Sequence, residues 1–157
     1  MSETLQTIYQ RRAVRKYKPM PVDHELIMQV IDAGRMAPSA MNKQPWSFYV
    51  LTEKTDIQAF SKQIARAGVR EIIRSGVKKV VKTFLDVLRA PIGFGHISEK
   101  DFVFYGAPVV IFITAPKDNE WASLDLGMCC ENMMLAAKSL GLDSCPVGFG
   151  KFVDQTK

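Results

Sequence analysis

Hydrogen-bonding side chains are crowded into one short connector of the chain. The stretch APSAMNKQPW, residues 37–46, contains Ser39, Asn42 and Gln44. Their hydroxyl and amide groups offer donors and acceptors that match a planar, amide-rich ligand edge. The alternative is turn chemistry, because Ser and Asn often hydrogen-bond their own backbone in loops, while the Pro-Trp pair that follows simply packs. The spacing alone leaves both interpretations open.

A basic cluster follows the predicted first helix. Its arginines are Arg11, Arg12 and Arg15, with Lys16 and Lys18 close by. Arginines at positions i, i+1 and i+4 beside a helix end can converge on one anionic group. The planar guanidinium suits a phosphate, because it can donate paired, charge-assisted hydrogen bonds. The alternative is a solvated basic turn.

A third candidate ligand segment is PVGFGK, residues 146–151. Two glycines precede Lys151, but the GxxxxGK[ST] spacing of a phosphate-binding loop is absent. A turn at the start of a strand is therefore favoured. Glycines in such a turn would still let a ligand approach the backbone closely.

A stripe of basic residues recurs at four-residue intervals along a predicted helix. Its members are Arg66, Arg70, Arg74, Lys78 and Lys82. Such a stripe could bind nucleic acid or an anionic membrane surface. We favour the solvated face of an amphipathic helix, because apolar residues lie opposite and no RNA-binding aromatic motif accompanies the stripe. We therefore expect neither nucleic acid nor a membrane as a partner.

The sequence offers few residues for hydrolytic or metal chemistry. Its two histidines, His24 and His96, are far apart, and a GxSxG motif is absent. The three cysteines, Cys129, Cys130 and Cys145, form no CxxC pair, and their odd number argues against a disulfide framework. A structural zinc site would lack ligands. We expect buried, unreactive thiols, no metal, and chemistry that belongs to a cofactor.

Length and composition indicate one globular domain over residues 1–157. The chain is 47% hydrophobic and 24% charged, and its net charge is +5. This charge fits a nucleic-acid binder and equally a protein that binds small phosphorylated ligands. No apolar run approaches the roughly 20 residues that span a bilayer. The first residues lack the apolar core of a secretory signal, so we expect a cytoplasmic location.

Hydrophobic periodicity predicts the elements that position these residues. A helix covers about residues 3–11, and a second begins after Asp23, which reads as its N-cap. The other predicted elements are a strand at 47–52, a helix from 56 that continues towards Pro91, a strand at 107–116, and a helix at about 120–140 with Gly141 as its C-cap. The second strand is continuously apolar, so both of its faces should be covered. The last helix is apolar almost all round and should be central. The mixture predicts an α+β fold.

Four segments in this order resemble the nitroreductase family of flavoproteins. They are RRAVRKY, APSAMNKQPWSFYVL, YGAPVVIFI and DLGMCCENMMLAAKSLGLDSCPVG, and the resemblance covers most of the chain outside about residues 60–100. It implies an α+β fold with a central, mostly antiparallel sheet flanked by helices. It further implies an intertwined homodimer that binds FMN at the subunit interface. The helix at 120–140 would then pack against its own sheet on one side and against its partner on the other.

The resemblance also implies which residues contact FMN. Three groups match family motifs: Arg11, Arg12, Ala13 and Arg15 at the FMN phosphate and the polar edge of the ring; Pro38, Ser39, Ala40, Asn42 and Gln44 in a loop that reaches the partner's FMN; and Pro146, Val147 and Gly148 along the isoalloxazine ring. Family members commonly have Ser or Thr where Ala13 stands, so one hydroxyl contact would be missing. The family pattern usually continues for several tens of residues beyond PVG, whereas this sequence ends at Lys157. We expect FMN affinity and dimer stability to suffer accordingly.

The activity that the resemblance implies is a ping-pong oxidoreductase reaction. NADH or NADPH donates hydride to flavin N5 and leaves, and a small-molecule acceptor such as a nitroaromatic or a quinone takes its place. Arginines and backbone N–H groups would stabilise the anionic reduced flavin, and no side chain is assigned as catalytic.

Three alternatives come from the same family, and one does not. The family alternatives are dehalogenation, enoate reduction and flavin breakdown, which differ chiefly in a lid that we place in residues 60–105. Four aromatic residues there could stack over a substrate or pack in the core: Phe94, Phe102, Phe104 and Tyr105. The remaining alternative is a flavin-binding protein without turnover.

Overall fold

Two helices near the start of the chain begin at side-chain caps. In the computed structural model, which describes residues 1–74, 101 and 103–148, α1 spans Glu3–Gln10 and α2 spans His24–Arg35. The Leu5 amide donates to Ser2 Oγ at 3.4 Å, and the Glu25 amide donates to the Asp23 carboxylate at 2.9 Å. Each cap satisfies an amide that the first turn leaves free, so the predicted N-cap at Asp23 is confirmed.

Two longer helices, α3 (Lys54–Arg74) and α4 (Ala122–Ser139), follow later in the chain. Helix α4 ends in a Schellman motif, in which the Leu142 amide donates to the Ala137 carbonyl at 2.8 Å and the Gly141 amide to the Lys138 carbonyl at 3.1 Å. The motif needs a left-handed residue, and Gly141 has φ +76°. The predicted C-cap is confirmed. The predicted continuation of α3, with Lys78 and Lys82, lies outside the described residues, as do Phe94 and Phe102.

The described part of the chain contains one antiparallel pair of strands, β1 (Ser47–Leu51) and β2 (Val110–Thr114). The register places Ser47 opposite Thr114 and Leu51 opposite Val110. Because side chains alternate along each strand, Phe48 and Ile113 share one face, and Leu51 and Val110 share the other. The two predicted strands are therefore present and paired.

Separate hydrophobic clusters cover the two faces of this sheet. On one face, Ile111 and Ile113 pack against buried residues of α2 and α4, among them Ile31 and Met133. On the other face, the second cluster consists of Ile57, Ile64, Val103 and Phe104, and the strand residues that pack against it include Val110 and Phe112. Strand β2 thus has apolar neighbours on both sides, as predicted from its continuous apolar run.

Helix α4 buries one side only. Its buried residues recur at four-residue intervals, at Asp125, Cys129, Met133 and Ala137. The helix packs chiefly against α2 and makes lesser contacts with α1 and β2. Leu124 is 56% exposed, so the prediction of a helix enclosed on all sides, with the sheet as its main neighbour, is wrong for the single chain. An all-apolar pattern shows that a helix can be buried all round, but it does not supply the neighbours.

Candidate functional site

A short backbone bridge brings together two segments that are far apart in sequence. Ala13 and Ser144 form an isolated parallel β-bridge, and the Val14 amide donates to the Ser144 carbonyl at 3.1 Å. The basic segment 11–15 therefore lies beside residues 144–148, which include Pro146, Val147 and Gly148. Two of the three predicted site segments thus meet within one chain.

Arg15 is the most confined of the three predicted arginines that face this junction. Its side chain is half-buried, and its Nε atom is buried without a hydrogen-bond partner among the described residues. The guanidinium carbon lies 5.8 Å from the centroid of the Tyr105 ring, within cation–π range. A buried donor on a permanent cation is costly unless an acceptor satisfies it. The position therefore fits an anionic or carbonyl oxygen of a ligand.

Arg11 and Arg12 have other neighbours. Arg11 Nε lies 3.7 Å from Glu131 Oε1, and both side chains of this pair are partly exposed. Arg12 Nη1 donates to the carbonyls of Tyr9 at 2.6 Å and Arg11 at 2.8 Å, so it caps the C-terminal end of α1. The three arginines share no partner among the described residues. Their assignment to the FMN phosphate and ring stays a prediction.

The 38–44 loop is held by contacts among its own residues. The Gln44 amide donates to Ser39 Oγ at 2.9 Å, and Gln44 Nε2 donates to Asn42 Oδ1 at 3.0 Å. These bonds are the turn chemistry that was the alternative for these side chains. Asn42 and Gln44 are exposed, so their remaining donor and acceptor groups are free to meet a ligand. Pro38 is exposed as well, whereas Ala40 is half-buried.

The backbone of this loop is unusual. A 3₁₀ turn spans Ala40–Asn42, and three residues that are not glycine adopt positive φ: Met41 at 53°, Asn42 at 55° and Gln44 at 47°. The left-handed conformation costs about 1–2 kcal/mol for an L-residue, less for Asn than for Met or Gln. Such conformations persist where the surroundings hold them, and they concentrate at functional sites.

A buried carboxylate of α4 anchors this loop, and the sequence interpretation did not assign it. The Ala40 amide donates to Asp125 Oδ1 at 3.1 Å, and Asp125 is 1% exposed. Its second oxygen, Oδ2, is buried without a partner among the described residues. The available signal was an acidic residue within an otherwise apolar helix.

A second buried carboxylate organises the turn that carries Tyr105. Asp101 Oδ1 accepts hydrogen bonds from Ser61 Oγ at 2.6 Å and from the amides of Val103 at 3.2 Å and Phe104 at 3.0 Å. Its Oδ2 accepts from the Gly106 amide at 3.3 Å. Tyr105 has φ 59° within this turn and lies against Arg15. Phe104 is buried in the core, as its alternative interpretation required.

The loop and the junction form two separate halves. No hydrogen bond or ion pair among the described residues joins segment 38–44 to segment 11–15 or to segment 144–148. The loop is instead attached to the first turn of α4 through Asp125. One chain therefore presents two incomplete surfaces, a geometry in keeping with the prediction that each site uses loops from two subunits.

The thiols near these surfaces are poor nucleophiles. Burial raises the pKa of Cys129 to about 11, and the neighbouring Cys130 adds to the effect. Burial also raises the pKa of Cys130 and of Cys145, although Arg15 opposes the change at Cys145. Cys129 is buried and the other two are half-buried. The described residues contain no cluster of three or more metal-ligating side chains, and none of their helices is long and apolar enough to cross a bilayer.

These features define an α+β protein whose candidate ligand site is assembled from separate segments rather than from one motif. Residues 8–157 match the sequence model of the Nitroreductase family, so the chain belongs to this family. The family membership, fold class and enzyme class that the motifs predicted are therefore confirmed.

Relatives support the match along most of the chain. The 4-nitrobenzoate reductase of Pseudomonas putida is 32% identical over 162 residues, which cover 90% of this chain and 71% of that protein. The chloronitrobenzene nitroreductase of Comamonas testosteroni is 30% identical, with 90% and 71% of the two chains covered.

Solved structures give the same picture. The nitroreductase with bound FMN from Bacteroides fragilis superposes with a TM-score of 0.75 at 28% identity, covering 95% of this chain and 71% of that one. The nitroreductase with bound FMN from Desulfitobacterium hafniense gives a TM-score of 0.74 at 27% identity, covering 99% and 74%.

Proposed function

We propose that this chain is an FMN-dependent oxidoreductase that uses NADH or NADPH to reduce a nitroaromatic, a quinone or a similar small acceptor in a ping-pong cycle. Family membership supports the enzyme class, and the names of relatives from Pseudomonas putida and Comamonas testosteroni support the acceptor class. The FMN bound in similar structures supports the cofactor. When bound, FMN would supply the redox centre that no side chain provides.

The observation that carries the proposal is the environment of Arg15. Its half-buried guanidinium has a buried Nε without an acceptor and lies beside the segment that continues into Pro146, Val147 and Gly148. A ligand with an anionic oxygen would satisfy this donor, and FMN carries such oxygens on its phosphate and on its reduced ring. The residues present therefore fit the cofactor. Arg15 and Arg11 would hold its charge, and the backbone at 146–148 would lie along its ring.

The other half of the site would come from a second copy of the chain. The 38–44 loop has exposed amide groups but no described bond to the junction of its own chain. Apolar side chains are also left uncovered on α1 and α4, among them Tyr9 and Leu124. A homodimer would cover these surfaces and would bring the loop to the partner's cofactor.

The chain's own groups would mainly bind and stabilise charge. A fixed cation held in a partly buried position stabilises developing negative charge more strongly than one in water. Cys145 is the thiol nearest this position, and burial raises its pKa, so it stays protonated at neutral pH and is a poor base or nucleophile. No side chain is proposed as an essential acid or base.

The test is the visible spectrum of the chain after FMN loading and gel filtration. A retained flavin band that NADH or NADPH bleaches anaerobically, and that a nitroaromatic or a quinone then restores, would support the proposal. A retained band that neither nucleotide bleaches would indicate a flavin-binding protein without turnover. A colourless eluate would contradict the proposed cofactor.

A further inference from the structure

A single described hydrogen bond ties the 38–44 loop to another element of the fold. The Ala40 amide donates to Asp125 Oδ1 at 3.1 Å, across 85 residues of sequence. Asp125 lies in the first turn of α4, the helix that packs against α2 in the main core. The other described hydrogen bonds of the loop stay within it, such as the Gln44 amide to Ser39 Oγ and the Lys43 amide to the Ala40 carbonyl.

The loop needs an external anchor because its conformation is strained. Met41, Asn42 and Gln44 all have positive φ, which is unfavourable for residues with side chains. Contacts within a loop preserve its shape, but they do not fix where the loop sits. The bond to Asp125 supplies that fixed point, one residue away from Met41 and two from Asn42.

Stability alone does not explain a carboxylate at this position. Asp125 is 1% exposed, and its Oδ2 is buried without a partner among the described residues. A buried carboxylate with so few hydrogen bonds is generally less favourable than an apolar side chain of similar size. Its described contribution is the acceptor for Ala40, so the contact points to a role in the loop rather than in the core.

We propose that Asp125 is a positioning residue for cofactor binding. By holding the Ala40 amide, it fixes the left-handed backbone of the loop and thereby the direction in which the Asn42 and Gln44 amides point. Because it reaches the loop from α4, it also joins the loop to the main core. This inference rests on the proposed function, in which the loop contacts FMN.

The first experiment tests the anchor without any cofactor. Hydrogen exchange of the cofactor-free chain would be compared for wild type, Asp125→Ala and the control Asn132→Ala. Asn132 is matched because it lies on the same helix and its Nδ2 donates to the Ala33 carbonyl at 3.2 Å, on α2 rather than on the loop. We expect Asp125→Ala to speed exchange in a peptide covering residues 38–46 by about tenfold or more, and Asn132→Ala to leave that peptide unchanged. Unchanged exchange in Asp125→Ala would overturn the proposal.

The second experiment measures FMN affinity by quenching of flavin fluorescence. Asp125→Ala should weaken binding by about five- to tenfold, as expected for the loss of one hydrogen bond to a charged group. Asp125→Asn keeps an acceptor at Oδ1 and should restore affinity to within about twofold of wild type. An equal loss in Asn132→Ala, or no rescue by Asn, would assign Asp125 a purely structural role and overturn the proposal.

A substitution on the loop guards against misfolding of Asp125→Ala. Ala40→Pro removes the donor itself, and the extended backbone of Ser39, at φ −139° and ψ 153°, suits a residue before proline. It should loosen the 38–46 peptide in the same way, and normal exchange there would contradict the anchor. If wild type binds no FMN, the proposed function fails, whereas the exchange experiment still decides whether Asp125 fixes the loop.

Discussion

Gly34 on α2 lies directly against Met133 on α4. A Cβ added at Gly34 would stand 2.6 Å from Met133 Cγ and 3.1 Å from Cys129 Sγ, well inside contact distance. The absence of a side chain at this position is therefore what lets the two helices approach. Since α4 also carries Asp125, this contact helps to set the position of the helix that anchors the loop.

Replacing Gly34 by Ala should lower the free energy of unfolding by about 1–3 kcal/mol, because the added methyl overpacks the contact with Met133. The measurement is urea unfolding followed by circular dichroism. Gly127→Ala is the matched control, since nothing lies within 4 Å of the corresponding Cβ in the single chain and Ala is the better helix former. If Gly34→Ala is as stable as the control, the two helices are not packed as closely as described.

The Asp101 carboxylate should be essential to the turn around Tyr105. Asp101→Ala leaves the amides of Val103, Phe104 and Gly106 without their acceptor, so we expect a loss of about 3 kcal/mol or more in unfolding free energy. Ser61→Ala removes one donor of the same cluster and should cost about 1–2 kcal/mol. Chemical denaturation measures both losses. Equal, small losses would show that the carboxylate does not organise the turn.

The buried thiol of Cys129 should make stability fall at alkaline pH. Its pKa is about 11 in the folded chain against 9.0 as the ordinary value, so the unfolded chain loses this proton first as the pH rises. The stabilisation is complete below pH 9 and declines between pH 9 and 11. Between pH 8 and pH 10 it should fall by about 1 kcal/mol.

Urea unfolding at these two pH values, compared between wild type and Cys129→Ala, isolates this effect. The variant lacks the titrating group and should show the smaller decline. Tyr17 titrates in a similar range, because burial raises its pKa above the ordinary value, but it is present in both chains. Identical declines would mean that Cys129 does not titrate differently in the two states.

FMN affinity should depend on both halves of the proposed site. Arg11→Ala and Asn42→Ala should each weaken binding by about 1–3 kcal/mol, as expected for lost hydrogen bonds to charged or buried groups. Titration calorimetry or flavin fluorescence measures the change. Arg35→Ala removes the same charge from an exposed ion pair with Asp32 and should leave affinity unchanged. Wild-type affinity in both site variants would refute the assignment.

The proposed homodimer should be sensitive to charge on the uncovered side of α4. Leu124 is 56% exposed in the single chain, so Leu124→Asp should fold normally but shift the chain towards the monomer. Sedimentation velocity measures the shift. Gln29→Asp, an exposed change on α2, is the control. A variant at Leu124 that sediments like wild type would place the contact elsewhere.

The sequence by itself determined the local structure. The cap at Asp23, the turn at Gly141 and the two strands were predictable because each depends on residues within a few positions of one another. The four family segments were recognisable for a similar reason, since each keeps its residue types and spacing over a short stretch. They indicated the family before any contact between them was known.

Only the tertiary structure decided how these pieces meet. The bond from Ala40 to Asp125, the bridge from Ala13 to Ser144 and the ring of Tyr105 against Arg15 each join residues that no local pattern connects. The exposed side of α4 was equally unpredictable, because an apolar helix specifies that neighbours are favourable but not which elements supply them. Such contacts arise from the packing of whole elements, and that packing depends on the entire chain.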